Sequence, residues 1–299
     1  GRVDEDVLLP SQQMLAADYT DDQRQAVDYA YPNGERHVPL SLAVHQEAYA
    51  WTLPGHDAIA GIAFTITNKG SRTLRDVWLG LYADLDSREQ RDASGHLNDR
   101  VKVVPYSFML FPHADTLDFN WVKQCGERIA GPAAILRDGG SASGLPAVAL
   151  VPLTHTTDPG GWLLNNAFEG VREARATARA PRRDSTFRIG VFMNGAPPGQ
   201  GGLPFGDEDR YSALAGTYPE ADASGTGDYS VLTSCGPFTR LAPGQTLSFA
   251  VAFAGIQTPD SALSAVLDTR MLYRGARLNL QRDFRHGSAI VGETGVNGH

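Results

Sequence analysis

The chain has 299 residues, 42% hydrophobic and 20% charged, with 32 Gly and 18 Pro, a balance that excludes collagen, coiled coil and bulk disorder. A formal net charge of −8 supplies no positive field for phosphate and speaks against nucleic acid as a partner. Two cysteines exclude an all-cysteine zinc site, and no apolar run approaches the roughly 20 residues of a membrane-spanning helix.

Residues 1–36 are acidic, with Asp4, Glu5, Asp6, Asp18, Asp21, Asp22 and Asp28, and show no sustained period. They read as an extended N-terminal arm, able to add a strand to a neighbour's sheet edge. Residues 38–51 alternate Leu40, Leu42 and Val44 against small or polar residues, which predicts the first core strand. Ile62, Phe64 and Ile66 then alternate up to Asn68-Lys69-Gly70, and Val77, Leu79 and Leu81 alternate after it with Trp78, Gly80 and Tyr82. Two period-2 runs joined by an Asn/Gly loop predict a β-hairpin. The large Trp78 and Tyr82 imply that its second face is covered or binds something.

Four further apolar runs, VKVVPYSFMLF, PAAILR, AVALVPL and TFRIGVFMN, read as strands, whereas GGLPFGDEDRY and ASGTGDY read as loops. A segment rich in arginine, with Arg172, Arg175, Arg179, Arg182 and Arg183, reads as a solvated helical face, the alternative being a face that meets an anionic polysaccharide, a lipid surface or an acidic neighbour. Pro243-Gly244 suits the centre of a type II turn. The strand after it sets Leu247, Phe249, Val251 and Phe253 against Ser248, Ala250, Ala252 and Ala254, one heavy face and one of small residues. Thr258-Pro259 can cap a helix to about residue 280, with Leu263, Val266, Leu267 and Met271 facing the sheets.

The order of these patches carries a resemblance. ITNKGSRTLRDVWLGLYAD followed by LAPGQTLSFAVAFA is similar to bacterial Ig-like, adhesion-type sandwich modules. Asp84-Leu85-Asp86, Asp209-Arg210-Tyr211 and Ser234-Cys235-Gly236-Pro237-Phe238 resemble segments of uncharacterised secreted bacterial proteins that often carry C-terminal surface-sorting modules. The resemblance implies secretion to the bacterial cell surface and a structural or adhesive role. The expected fold is all-β and mainly antiparallel: an Ig-like or enlarged β-sandwich over 37–285. A long insertion at about 87–236 exceeds what a ~100-residue Ig unit needs. A C-terminal helix and a flexible tail at 286–299 complete the expectation. Both chain ends read as processing or excision sites.

For chemistry, Asp84, Asp86, Asp92 and Asp99 would hold calcium if the loop folded around a hard cation, since calcium takes six to eight oxygens. A solvated loop neutralised by Arg88, Arg91 and Arg100 is the competing reading. Asp207 and Asp209 beside Tyr211 supply further carboxylates, and a glycosidase needs two about 5 to 9.5 Å apart. His45-Gln46-Glu47 lacks the second histidine of a zinc-protease motif, and GGSASG lacks nucleophile-elbow spacing. No catalytic or cofactor-binding residue is nominated. Trp51, Trp78, Trp121 and Trp162, with Tyr29, Tyr31, Tyr49 and Tyr82, read mainly as core. Cys125 and Cys235 would close a disulfide in an exported chain, or stay as two buried thiols. The expected function is a secreted, non-catalytic structural or adhesive module that self-assembles or engages cell-surface components. The alternatives are a polysaccharide-acting enzyme and a calcium-dependent carbohydrate-binding module.

Overall fold

The computed structural model describes residues 13–22, 34–52, 57–86, 97–110, 127–140, 146–156 and 187–256, together with Thr258, Ala265, Val266 and Thr269. Among these residues ten strands run in chain order as β1 (Gln13–Thr20), β2 (Leu42–Ala50), β3 (Ile59–Asn68), β4 (Leu74–Asp84) and β5 (Asp99–Leu110), then β6 (Glu127–Asp138), β7 (Ala147–His155), β8 (Arg188–Met193), β9 (Tyr229–Leu241) and β10 (Thr246–Ile256). They form a seven-stranded sheet, β1-β2-β3-β10-β7-β6-β5, and a three-stranded sheet, β4-β9-β8. Every strand pair is antiparallel. The all-β expectation holds, and β5 to β8 enlarge both sheets.

The period-2 pattern dictates what lies between the sheets. Phe64 and Ile66 of β3, Leu136 of β6, Leu150 of β7 and Leu247, Phe249 and Val251 of β10 meet Leu79, Ile189, Tyr229, Val231 and Phe238 from the small sheet in one buried cluster. The alternate, small-residue face is buried as well. Ala250, Ala252 and Ala254 pack with Ala133, Ile135, Ala149, Val151, Trp51 and Val266 on the far side of the large sheet. A sheet covered on both faces can carry alanine on one of them because alanine lets the covering segment approach closely. Ala265, Val266 and Thr269 are helical and Val266 is fully buried, in keeping with the expected C-terminal helix; Leu263, Leu267 and Met271 lie outside the described residues.

The predicted β3–β4 hairpin is not formed. β3 pairs with β2 and β10, whereas β4 pairs with β9, so the connection after Asn68 crosses from one sheet to the other. The cause is Asn68 itself, fully buried at the corner. Its Nδ2 donates to Arg72 O at 2.8 Å and Leu241 O at 2.9 Å, and its Oδ1 accepts from Gly70 N at 2.9 Å. Its backbone closes on the proline–glycine turn, Asn68 N donating to Gln245 O at 3.0 Å and Gly244 N to Asn68 O at 2.8 Å. That turn is as expected, with Gly244 at φ 75°, and it too passes between sheets, from β9 to β10. Two arches thus share one end of the sandwich, and Asn68 joins them.

The segment GDEDRY, expected as loop, begins helix α1 (Asp207–Ala215). Asp207, Glu208 and Asp209 occupy its first turn, where negative charge meets the positive end of the helix dipole. The helix ends at Gly216 in the left-handed conformation. Its Ala213 and Leu214 pack with Phe192, Tyr218 and Leu232 on the outer face of the small sheet. This covers part of the face that carries Trp78 and Tyr82.

Within β9, Gly236 has φ 145°, a conformation open chiefly to glycine, and a Cβ there would lie 2.9 Å from two indole carbons of Trp78 and from Val77 O. Gly236→Ala is expected to lose about 2–3 kcal/mol through backbone strain and crowding. Urea denaturation would check it, and a loss below about 0.5 kcal/mol would contradict the packing described.

Candidate functional site

Among the described residues, two features of the surface carry polar chemistry, one at the end of the small sheet and one at the β1 edge of the large sheet. At the first, outward-facing residues from β4 and β9 meet the segment after β8. The Tyr82 hydroxyl donates to Ser230 Oγ at 2.6 Å. The Ser230 hydroxyl lies 2.9 Å from both Asp84 Oδ1 and Asn194 Oδ1, so its single proton serves one of them. The Asn194 amide donates to Asp84 Oδ1 at 3.1 Å and to Asp228 Oδ1 at 2.6 Å. Burial, then the nearby charges of Asp84 and Asp228, push the Tyr82 phenol above its ordinary value against the opposing effect of the Ser230 hydrogen bond. Tyr82 therefore acts as a hydrogen-bond donor through the neutral range. Ser230 is fully buried and offers no accessible nucleophile. Asp84→Asn and Asp228→Asn should each move the Tyr82 pKa downward, read by ultraviolet phenolate titration; no movement in either would remove the electrostatic link.

The sequence-predicted carboxylates are only partly gathered here. Asp84 joins the cluster, and Asp86 is exposed two residues on. Asp99 is buried at the start of β5, where its carbonyl accepts from Gly227 N at 2.9 Å; Asp92 lies outside the described residues. Among the described residues no three His, Cys, Asp or Glu side chains are grouped to hold a metal ion.

Asp207 is engaged elsewhere. Its carboxylate sits 3.2 Å from His37 Nδ1 and accepts from Val38 N at 3.1 Å, pinning the segment before β2 to α1. Tyr211 donates to Asp76 O at 3.0 Å, and Leu214 lies over Gly80. The first turn of α1 is thus toward the Asp76 end of β4, opposite Asp84. The eight residue steps from Asp76 to Asp84 cover at most about 26 Å at ~3.3 Å each, with a bulge between Val77 and Leu79, so the first turn of α1 and Asp84 lie toward opposite ends of β4. The structure brings Asp84 and Asp228 together instead. Asn194, Asp228 and Ser230 were missed because each follows or begins a strand singly; the outward position of Tyr82 was the one available signal.

The second feature is β1. All eight residues are exposed, including Met14 at 37%, Leu15 at 67% and Tyr19 at 41%. β1 pairs with β2 in a single register, with Asp18 opposite His45 and Tyr19 opposite Val44. Asp18 Oδ1 lies 2.8 Å from His45 Nδ1, and Glu47 Oε1 lies 3.5 Å from His45 Nε2. The Tyr49 hydroxyl donates to Glu47 Oε2 at 2.5 Å, and the Tyr19 hydroxyl to Gln46 Oε1 at 3.3 Å. At the base of the connection, Asp21 accepts from Leu40 N at 2.6 Å and Leu42 N at 2.8 Å. The sequence marks His45 only as lacking the second histidine of a zinc-protease motif; its partner on β1 is not legible because the arm shows no period.

The hydrogen bond from His45 to Asp18, with the weaker help of Glu47, raises the His45 pKa although desolvation opposes it. A raised folded-state value means that the stabilising charge is fully present below the unfolded value of about 6.5 and is lost as pH rises through the folded one. An NMR titration of the His45 ring should give a midpoint above 6.5 that falls toward it in Asp18→Asn; an unchanged midpoint would contradict the pairing.

The remaining expectations place simply. Trp51 is buried and packs near Gly61, and Trp78 lies against Gly236; Trp121, Trp162, Tyr29, Tyr31 and the arginine-rich segment lie outside the described residues. Cys235 is buried between the sheets. Cys125 lies outside the described residues, and no disulfide is present among those described. None of the described helices is long and apolar enough to cross a membrane. No protein-family model matches the chain, and comparison with curated proteins gives no match.

Proposed function

We propose that this chain is a secreted, non-catalytic β-sandwich module with a structural or adhesive role at the bacterial cell surface, working through association with copies of itself or with surface components. The observation that carries this reading is β1, a sheet edge with every side chain exposed. Exposed edges are normally blunted by charge, proline or a covering segment because their unpaired backbone groups accept another strand. The eight residues of β1 contain no proline and only one charged residue, Asp18. The order of sequence patches, which resembles that of Ig-like adhesion-type modules, supports the same role.

Light scattering across a concentration series, alongside binding to cell-wall polysaccharide, tests it. Concentration-dependent association or retention on the polysaccharide is expected. A strict monomer with no such affinity would overturn the proposal, and polysaccharide turnover abolished by Asp84→Asn would replace it with the enzyme reading. Calcium binding, were it present, would be read as a rise in melting temperature that is lost in Asp84→Asn and Asp86→Asn.

A further inference from the structure

Strand β1 is joined to the body by residues 21–41 and contributes no buried side chain. Among the described residues, the contacts that hold it include the β2 ladder, the Asp18–His45 pair, the Tyr19–Gln46 hydrogen bond and the Asp21 clamp on Leu40 and Leu42. Each of these contacts is made between β1, or the residue just after it, and the β2 region. None requires that the two belong to one molecule. From this we propose that β2 is a strand-acceptor site and that Gln13–Thr20 is its ligand, exchangeable between copies of the chain. The inference rests on the self-association reading above and names the surface that would produce it.

The occupant is specified by the structure, because the site is already filled by the segment that fits it. In an exchanged pair the same register forms twice, Asp18 of each copy meeting His45 of the other, so the side-chain pairs are conserved and the symmetry closes the dimer. The segment from 22 to 36, between the Asp21 clamp and the His37 contact with Asp207, spans about 50 Å at ~3.3 Å per residue when extended. That length sets the upper limit on how far an adjacent copy can lie for β1 to cross to it. The intramolecular form competes through a tether-set effective concentration of order millimolar. Exchange therefore becomes appreciable when copies are crowded to comparable density, as on a surface.

Asp18 and His45 are directly opposed, and opposed residues of an antiparallel pair lie within the separation a disulfide bridges. The test mixes two variants, Asp18→Cys on one chain and His45→Cys on another, and oxidises them at about 10 μM and about 1 mM, with the 18–45 crosslink located by peptide mass spectrometry. A chain carrying both substitutions reports pairing within one molecule. The expected result is a mixed-chain 18–45 crosslink that grows at least several-fold between the two concentrations, together with efficient crosslinking within the doubly substituted chain. If the double variant crosslinks internally while the mixture gives no 18–45 product at 1 mM, exchange is overturned. If the double variant fails to crosslink, the β1–β2 register is wrong and the inference falls with it. Association seen by light scattering without the mixed crosslink would leave the proposed function standing and remove this route alone.

Discussion

Phe249→Ala is expected to lower the unfolding free energy by about 3–5 kcal/mol, among the largest single-site losses available in this chain. Phe249 is 5% exposed and its ring stacks on Phe64 at 4.7 Å between centroids, with the planes 15° apart. The two residues are direct register partners on β10 and β3, and Phe249 faces His155 of β7 on its other side. Truncation removes the stacked pair and leaves a cavity between sheets whose backbones are fixed by pairing on both sides, so collapse into the space is restricted. Phe249→Leu should cost about half as much. Equilibrium denaturation would measure both, and a loss under about 1 kcal/mol for the alanine variant would contradict the described core.

Asn68→Ala is expected to cost about 2–4 kcal/mol by a different route. Little volume is lost, but Arg72 O, Leu241 O and Gly70 N each lose a partner at a buried corner. Asn68→Asp separates the contributions. The carboxylate retains an acceptor for Gly70 N but brings negative charge against two carbonyl oxygens, so at neutral pH it should be no more stable than alanine. Protonation restores one donor, and its stability should recover as pH falls below the raised carboxyl pKa. Parallel denaturation curves at pH 5 and pH 8 would show this; equal losses at both would refute the assignment of donors.

Period-2 alternation proved readable wherever both faces of a strand differ in size. Phe249 and Val251 against Ala250 and Ala252 identified both a heavy inter-sheet face and a light face in advance, and Val77, Leu79 and Leu81 pointed inward as expected. Alternation fixes which face a side chain takes but not which strand lies alongside. For that reason the run ending at Asn68 and the run of Val77, Leu79 and Leu81 read as a hairpin, although they belong to different sheets. Asn68 reads locally as a turn residue; its role as a cross-sheet donor depends on Leu241, which is remote in sequence. Helix α1 was hidden because nine residues beginning Asp-Glu-Asp have little apolar periodicity. The Tyr82, Asp84, Asn194, Asp228 and Ser230 cluster was illegible for a related reason. Its members come from three separate segments, and only the sheet order β4-β9-β8 makes them neighbours.

The placement of β10 has a consequence for how the chain reaches this structure. β10 lies between β3 and β7 in the large sheet, so among the described strands β1–β3 and the β5–β7 group are joined only through a segment synthesised after all of them. β4 likewise waits for β9. Pairings of such sequence separation close slowly, on the millisecond-to-second scale typical of β-sandwiches, and leave edges unpaired meanwhile. A ribosome-bound chain that has not yet released Ile256 lacks the seam of its larger sheet. Assembly of the sandwich is therefore completed after, rather than during, emergence of most of its strands.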